Sequence, residues 1–335
     1  MNAQSVRSHA MKRSTALVAA LPLTLGVLAP APAQAAETTT VSTLISSVLS
    51  SASVLLGTTS VISGSVAGPP GRTVRLQVKL PSGWRTVRSA TTTSTRTYRI
   101  PAPSSWLGGH TLRVVAPQTN EAPAAVSSSR WFSVRPTWSP AGLGSDWRPL
   151  SSARPRFNPC RPITWRFNQN GGYAGSLSDL KGAFRRLGHA TGLTFVYAGT
   201  TTVTPRPGSY DGRVAITVGF TTPAQVGSLA GSVAGQGGGS WWNHDGYAEL
   251  VRGSLTLDRT ERLPAGFTSS GAATWGQIMQ HEIGHTLGLG HASGSSQLMN
   301  GMASSRNHRF GAGDLNGLRS VGLKAGCIPN SARRV

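Results

Sequence analysis

Between residues 51 and 136, apolar and polar positions alternate with a period of two in short runs separated by clusters of Gly, Pro and Ser. The runs fall at 53–56, 60–66, 73–80, 84–90, 97–100, 110–115 and 130–134. Alternation puts every second side chain on one face of a strand, so this pattern predicts short strands that bury one face against an opposing sheet. From 137 to 156, Pro, Gly, Ser and Trp follow no period, and the stretch reads as a linker.

A different pattern begins at about residue 157. Positions 162–168 alternate as a strand, and 176–190 carry Leu177, Leu180, Phe184 and Leu187 at helical spacing. Ser176 reads as the N-cap of that helix, and Gly192 lies beyond its end. Strands are predicted at 193–198, 213–220 and 247–258, the last with Gly253 as a candidate bulge. The Gly-rich stretch 227–239 has no Gly-Lys-Ser/Thr ending and no strand-to-helix setting, so it reads as a flexible surface loop, not a phosphate cradle. Thr274 followed by Gln277 has the form of a capping box, opening a helix through Trp275, Ile278 and Met279. Strands mixed with helices give an α+β domain over 157–335, preceded by an all-β one over 51–136.

Composition narrows the class. A chain of 335 residues exceeds the usual single domain, and 38% hydrophobic against 13% charged residues excludes a disordered chain. Lys and Arg number 32 against 11 Asp and Glu, a net charge of +21. The arginines are scattered from Arg72 to Arg334 instead of gathering in an arm with interleaved aromatics. That argues against a dedicated nucleic-acid partner and for electrostatic association with an anionic cell envelope. Arg7, Lys12 and Arg13 precede the apolar run 15–29, and Ala33-Gln34-Ala35 has the small-x-small form, so 1–35 reads as an export signal cleaved after Ala35. Residues 36–50 then form an N-terminal linker. No later stretch is long and apolar enough to span a membrane, so the mature protein is expected outside the cell. In an exported chain the even pair Cys160 and Cys327 favours a disulfide, worth roughly 5 kcal/mol in the chain-entropy model.

The candidate chemistry lies in His281-Glu282-Ile283-Gly284-His285-Thr286-Leu287-Gly288-Leu289-Gly290-His291. Positions four apart share a helix face, so His281 and His285 can aim their imidazoles at one point. Gly288 permits a left-handed turn that ends the helix and brings His291 back as a third ligand. Three neutral imidazoles with an open fourth position suit a catalytic Zn2+, and Glu282 beside them suits a general base.

The HExxHxxGxxH segment resembles the zinc signature of metzincins, and its HTLGLGH form is similar to their matrixin-like branch. That resemblance covers roughly 159–326 and implies a zinc endopeptidase acting on protein or peptide substrates. It also implies a methionine turn beneath the metal, at Met299 with Met302 as competitor, and a final helix in which Asp314 serves as a cap. An extended substrate would lie along an edge strand, with Tyr247–Asp258 the candidate, and a side pocket would form near 298–302. The N-terminal strands resemble an immunoglobulin-like β-sandwich, on pattern alone. Asn300 stands where many metzincins have Tyr. The surroundings of Cys160 lack the sequence by which matrix metalloproteinases keep a cysteine on the zinc. His244 and Asp245 are the only hint of a further metal framework and read as a solvated loop pair, so Ca2+ is possible but not indicated. His110, His189 and His308 are isolated and read as non-functional. Two rival functions remain open: a surface-binding protein with a vestigial metal site, and a zinc amidase acting on peptidoglycan peptides.

Overall fold

A computed structural model describes residues 44–206, 208–268 and 271–331; the export-signal reading lies outside them. Strands β1 (Val48–Leu49), β2 (Ser53–Leu55), β3 (Val61–Ser65), β4 (Thr73–Leu80), β5 (Gly83–Thr91), β6 (Thr97–Pro101), β7 (Gly108–Ala116), β8 (Ala125–Val126) and β9 (Arg130–Arg135) make up the N-terminal region. They form two sheets, β1-β3-β6 and β2-β9-β7-β4-β5, with β8 paired to β7. The alternation is obeyed: β4 buries Val74, Leu76, Val78 and Leu80 and exposes Thr73, Arg75 and Lys79. Pairing starts earlier than the alternation suggests. Ile45 bridges Val66 and Val48–Leu49 pair with β3, within the stretch read as a linker, because a two-residue strand is too short to display a period.

The second region holds β10 (Ile163–Asn168), α1 (Ser176–Thr191), β11 (Phe195–Thr200), β12 (Ile216–Thr221), β13 (Gly235–His244), β14 (Tyr247–Asp258), α2 (Trp275–Thr286) and α3 (Ala312–Val321). Its sheet runs β11-β10-β12-β14-β13, parallel except for β13. All six residues of β12 are buried, as a central parallel strand requires, and every residue of α2 is buried as well. Helix α1 ends as its glycine suggests, with Gly192 at φ 75° donating to the Gly188 carbonyl. Its start differs, since Gly175 is the N-cap and Ser176 already lies in the helix without capping it.

Two corrections concern the sheet. The Gly-rich segment read as a surface loop is in part strand β13, and β13 is the edge of the sheet. Tyr247–Asp258 is therefore an interior strand between β12 and β13. Glycine erases the alternation by which a strand is recognised, and here it is required by close packing. A Cβ on Gly237 would stand 1.9 Å from the Glu282 carbonyl oxygen of α2, and one on Gly235 would stand 2.9 Å from Glu282 Cγ.

The stretch 137–156 is irregular, yet it is fastened to the second region along its length. Trp138 Nε1 donates to Phe310 O (3.0 Å), and Ala312 N donates to Ala141 O (2.8 Å). Leu150 N donates to Gly288 O (2.7 Å), and Gly290 N to Arg148 O (2.8 Å). Arg156 then pairs with β14 across Ala248 and Leu250. Coil satisfied by main-chain bonds to distant residues leaves no periodic trace in a sequence. The disulfide Cys160–Cys327 is formed, joining residues 167 apart, and Asn158 beside it exchanges hydrogen bonds with the backbone of Ile328. No helix among the described residues is long and apolar enough to cross a membrane.

Candidate metal centre

Helix α2 places the first two imidazoles. Thr274 caps it by accepting from Gln277 N (3.3 Å). The reciprocal half of the expected box is missing, because the Gln277 amide turns away and donates to Asn307 Oδ1 (2.7 Å) and Ser304 O (3.0 Å). Gln277 thus ties the helix to the loop after the methionine turn. The helix ends at Thr286, and Gly288 at φ +109° reverses the chain. A Cβ there would meet Pro155 O at 1.9 Å, so the turn and the strap crossing it both exclude a side chain.

The reversal brings His291 to His281 and His285. One nitrogen from each ring lies within 4.8 Å of the others, the only such group of three among the described residues. His281 Nδ1 lies 2.7 Å from Leu298 O, and His285 Nδ1 lies 2.8 Å from Leu289 O. A carbonyl only accepts, so each Nδ1 carries the proton and each Nε2 presents a lone pair. Those two Nε2 atoms face each other at 3.0 Å. Two acceptors that close repel unless a cation lies between them, so the donor set fits a divalent ion of zinc's type. Burial pushes His281 down to about 4 and His285 down to about 3, which keeps both neutral and ready to ligate. They are 8% and 9% exposed, whereas His291 is exposed.

Glu282 lies beside this cluster, its Oε1 4.0 Å from His281 Nε2. Burial raises its carboxyl to about 7, opposed by the Gly237 N–H of the edge strand. Met299 is buried under α2 with its sulfur against Gly284, where a Cβ would come within 2.4 Å of Sδ. Met302 is 77% exposed and cannot underlie the site.

Three supports escaped the sequence reading. Asp314 does more than cap α3: its carboxylate accepts from Gly311 N (2.7 Å), Leu298 N (2.5 Å) and Met299 N (3.0 Å), holding the turn that carries Met299. Burial raises that carboxyl to about 6. Asn300 Nδ2 donates to Ala292 O (3.3 Å) and Ser293 O (3.0 Å), so this residue fastens the loop of His291. Asp146 in the strap accepts from Ser293 N (2.9 Å) and Gly294 N (2.8 Å) on the same loop. An Asp in a coil is the commonest of turn residues, and nothing local marks its distant partners.

Asp245 is exposed at the β13–β14 turn, as the solvated reading expects, whereas His244 is half-buried. His244 closes the β13–β14 hairpin through Nε2 to the buried Glu249 (2.8 Å), and Asp245 accepts from Asn330 Nδ2 (3.2 Å). His110 is a core residue whose ring packs tilted against Trp106, centroids 4.2 Å apart, and His308 Nδ1 bonds Ser305 O (2.8 Å).

Residues 161–321 match the family model of matrixin, the M10 peptidases. The chain carries a matrixin domain. The match spans the sheet from β10, the three-histidine group and all of α3, so the domain is that of a metalloendopeptidase whose histidines suit a catalytic zinc. No curated protein matches the chain.

Proposed function

We propose that the protein is an exported zinc endopeptidase in which His281, His285 and His291 hold the ion and Glu282 is the general base. The observation that carries this reading is the pair of facing Nε2 lone pairs, completed by His291 and flanked by a buried carboxylate. When bound, zinc supplies Lewis acidity, which acidifies a water and polarises a carbonyl. Glu282, deprived of solvation, takes a proton from the attacking water and returns it to the departing amine nitrogen. Met299 packs below the ligands and, with Asp314, fixes the floor.

The peptide substrate lies extended along β13, the open edge, and pairs with its main chain. The run of glycine from Gly237 to Gly239 keeps side chains out of the way, and its Gly237 N–H already reaches the Glu282 carboxylate. The N-terminal sheets, of immunoglobulin-like type in this reading, serve as an accessory region. The disulfide suits an oxidising compartment.

Glu282→Gln is expected to keep near-stoichiometric zinc and lose casein hydrolysis, whereas His285→Ala loses both. Hydrolysis surviving in Glu282→Gln at the parental rate would remove the assignment of the base.

A further inference from the structure

Five cations and a histidine line two adjoining cavities on the seam between the N-terminal sheets and the matrixin domain, and no carboxylate lines either. The larger, about 600 Å³, is bounded by Arg85 of β5, by Trp106, and by Lys181, Arg185 and His189 of α1. The smaller, about 370 Å³, shares Arg185 and His189 and adds Arg186 and Arg309. None of the zinc ligands borders either cavity.

Isolated surface arginines are expected on a chain of net charge +21, but these are gathered in a concave seam. Among the described residues none of the six has an ion pair, while Asp211 alone engages two arginines, Arg166 and Arg213. Lys181 rests over the Tyr197 ring (4.9 Å) and Arg186 over Phe267 (4.1 Å). Arg85 makes only long contacts, to Cys160 O (3.4 Å) and Cys327 Sγ (3.9 Å). Burial pushes Arg85, Arg186 and His189 below their ordinary values, and like charge on Arg185 and Arg309 adds to it at Arg186. Partly desolvated cations that face one another cost stability, and an anion between them reverses the sign of that cost.

We propose that this seam binds a phosphodiester polyanion, a flexible chain of phosphate groups joined by small polyol or sugar units. From Lys181 to Arg186 the cations run along about 8 Å of helix, longer than one phosphate can cover, and His189 adds a ring N–H donor about one turn further on. Arg85 adds a cation to the larger cavity and Arg309 one to the smaller, and the shared pair Arg185 and His189 lets one chain pass from cavity to cavity. Four of the five cations are arginines, whose forked donors match phosphate oxygens. A duplex is too wide for cavities of this size. A single-stranded nucleic acid stacks successive bases on free aromatic faces, and of the rings lining the cavities Trp106, Trp165, Phe184 and Phe310 are buried and Tyr197 is covered by Lys181, which leaves only the half-buried Phe195 and Trp138. This inference is independent of the peptidase chemistry.

The test is binding of a short poly(glycerol phosphate) to the disulfide-intact protein at physiological salt. Arg185→Glu/Arg186→Glu is compared with Arg88→Glu/Arg99→Glu, an equal charge change on exposed strand positions. The seam variant is expected to raise Kd about tenfold or more, since charge-assisted hydrogen bonds are worth about a power of ten each. It also lowers the slope of log K against log salt by roughly one to two. The control changes Kd by less than about twofold if contact and not net charge decides. Arg309→Glu, on a loop outside α1, repeats the test should the double variant fold poorly. Equal losses in seam and control variants overturn the proposal. So does poly-glutamate or oligothymidylate of matched charge binding as tightly with the same dependence on Arg185 and Arg186.

Discussion

Gly237 and Gly238 are neighbours on one strand with opposite surroundings. A Cβ on Gly237 meets the Glu282 carbonyl oxygen, a backbone atom that cannot step aside, whereas Gly238 has nothing within 4 Å. Gly237→Ala is therefore expected to cost about 1–3 kcal/mol in chemical denaturation and to cut casein hydrolysis. Gly238→Ala should leave stability nearly unchanged. Asp211 offers a test through pH. The Arg213 guanidinium beside it (2.9 Å) holds its carboxyl well below the usual range. A depressed carboxylate stabilises the fold above its unfolded value, about 3.9, and that contribution disappears as pH falls through the folded one. Asp211→Asn is thus expected to lower the melting temperature at pH 6, by a margin that shrinks as the pH drops below about 4. At this scale the three-histidine group and its neighbour Glu282 were legible as a cluster because helical periodicity and one glycine turn suffice to bring them together. Asp314 was only half legible: its place before a helix announces a cap, while its bonds to Leu298 and Met299 depend on a tertiary approach no spacing reveals.

Among the elements, the strap over 137–156 and the edge strand β13 were the ones hidden. Each lacks the signal on which recognition depends, the strap because its bonds run to remote main chain and β13 because glycine has no side chain to alternate. Both border the site. The strap fixes the loop of His291 from outside through Asp146, and His291 makes no hydrogen bond among the described residues, unlike His281 and His285. Asp146→Ala removes two charge-assisted bonds from that loop, a local loss of about 1.5 kcal/mol or more. The expected outcome is faster zinc loss to a chelator with the overall fold kept, and faster amide exchange over 288–294 in the metal-free protein. Unchanged exchange there would show that the loop holds itself.

For the molecule as a whole, the sheets and the matrixin domain meet at a real seam. Leu107 N donates to His189 O (2.8 Å), and Cys327 N donates to Ser82 Oγ (3.2 Å). Alternation and helix spacing disclosed the two regions separately but not this junction, whose contacts join residues far apart in the chain. The disulfide closes a loop of 167 residues, for which the chain-entropy model gives about 5 kcal/mol. Reduction is expected to lower the melting temperature sharply and to free the C-terminal tail to proteolysis, measured with the metal kept saturating. The uneven burial of the three imidazoles has a kinetic consequence. With two of them shut inside the wall and the third at the surface, an ion has one doorway, and His291 is its hinge. Exchange of metal with the surroundings should begin by release of that single arm, so the lifetime of the loaded protein is set at its rim and not in its interior.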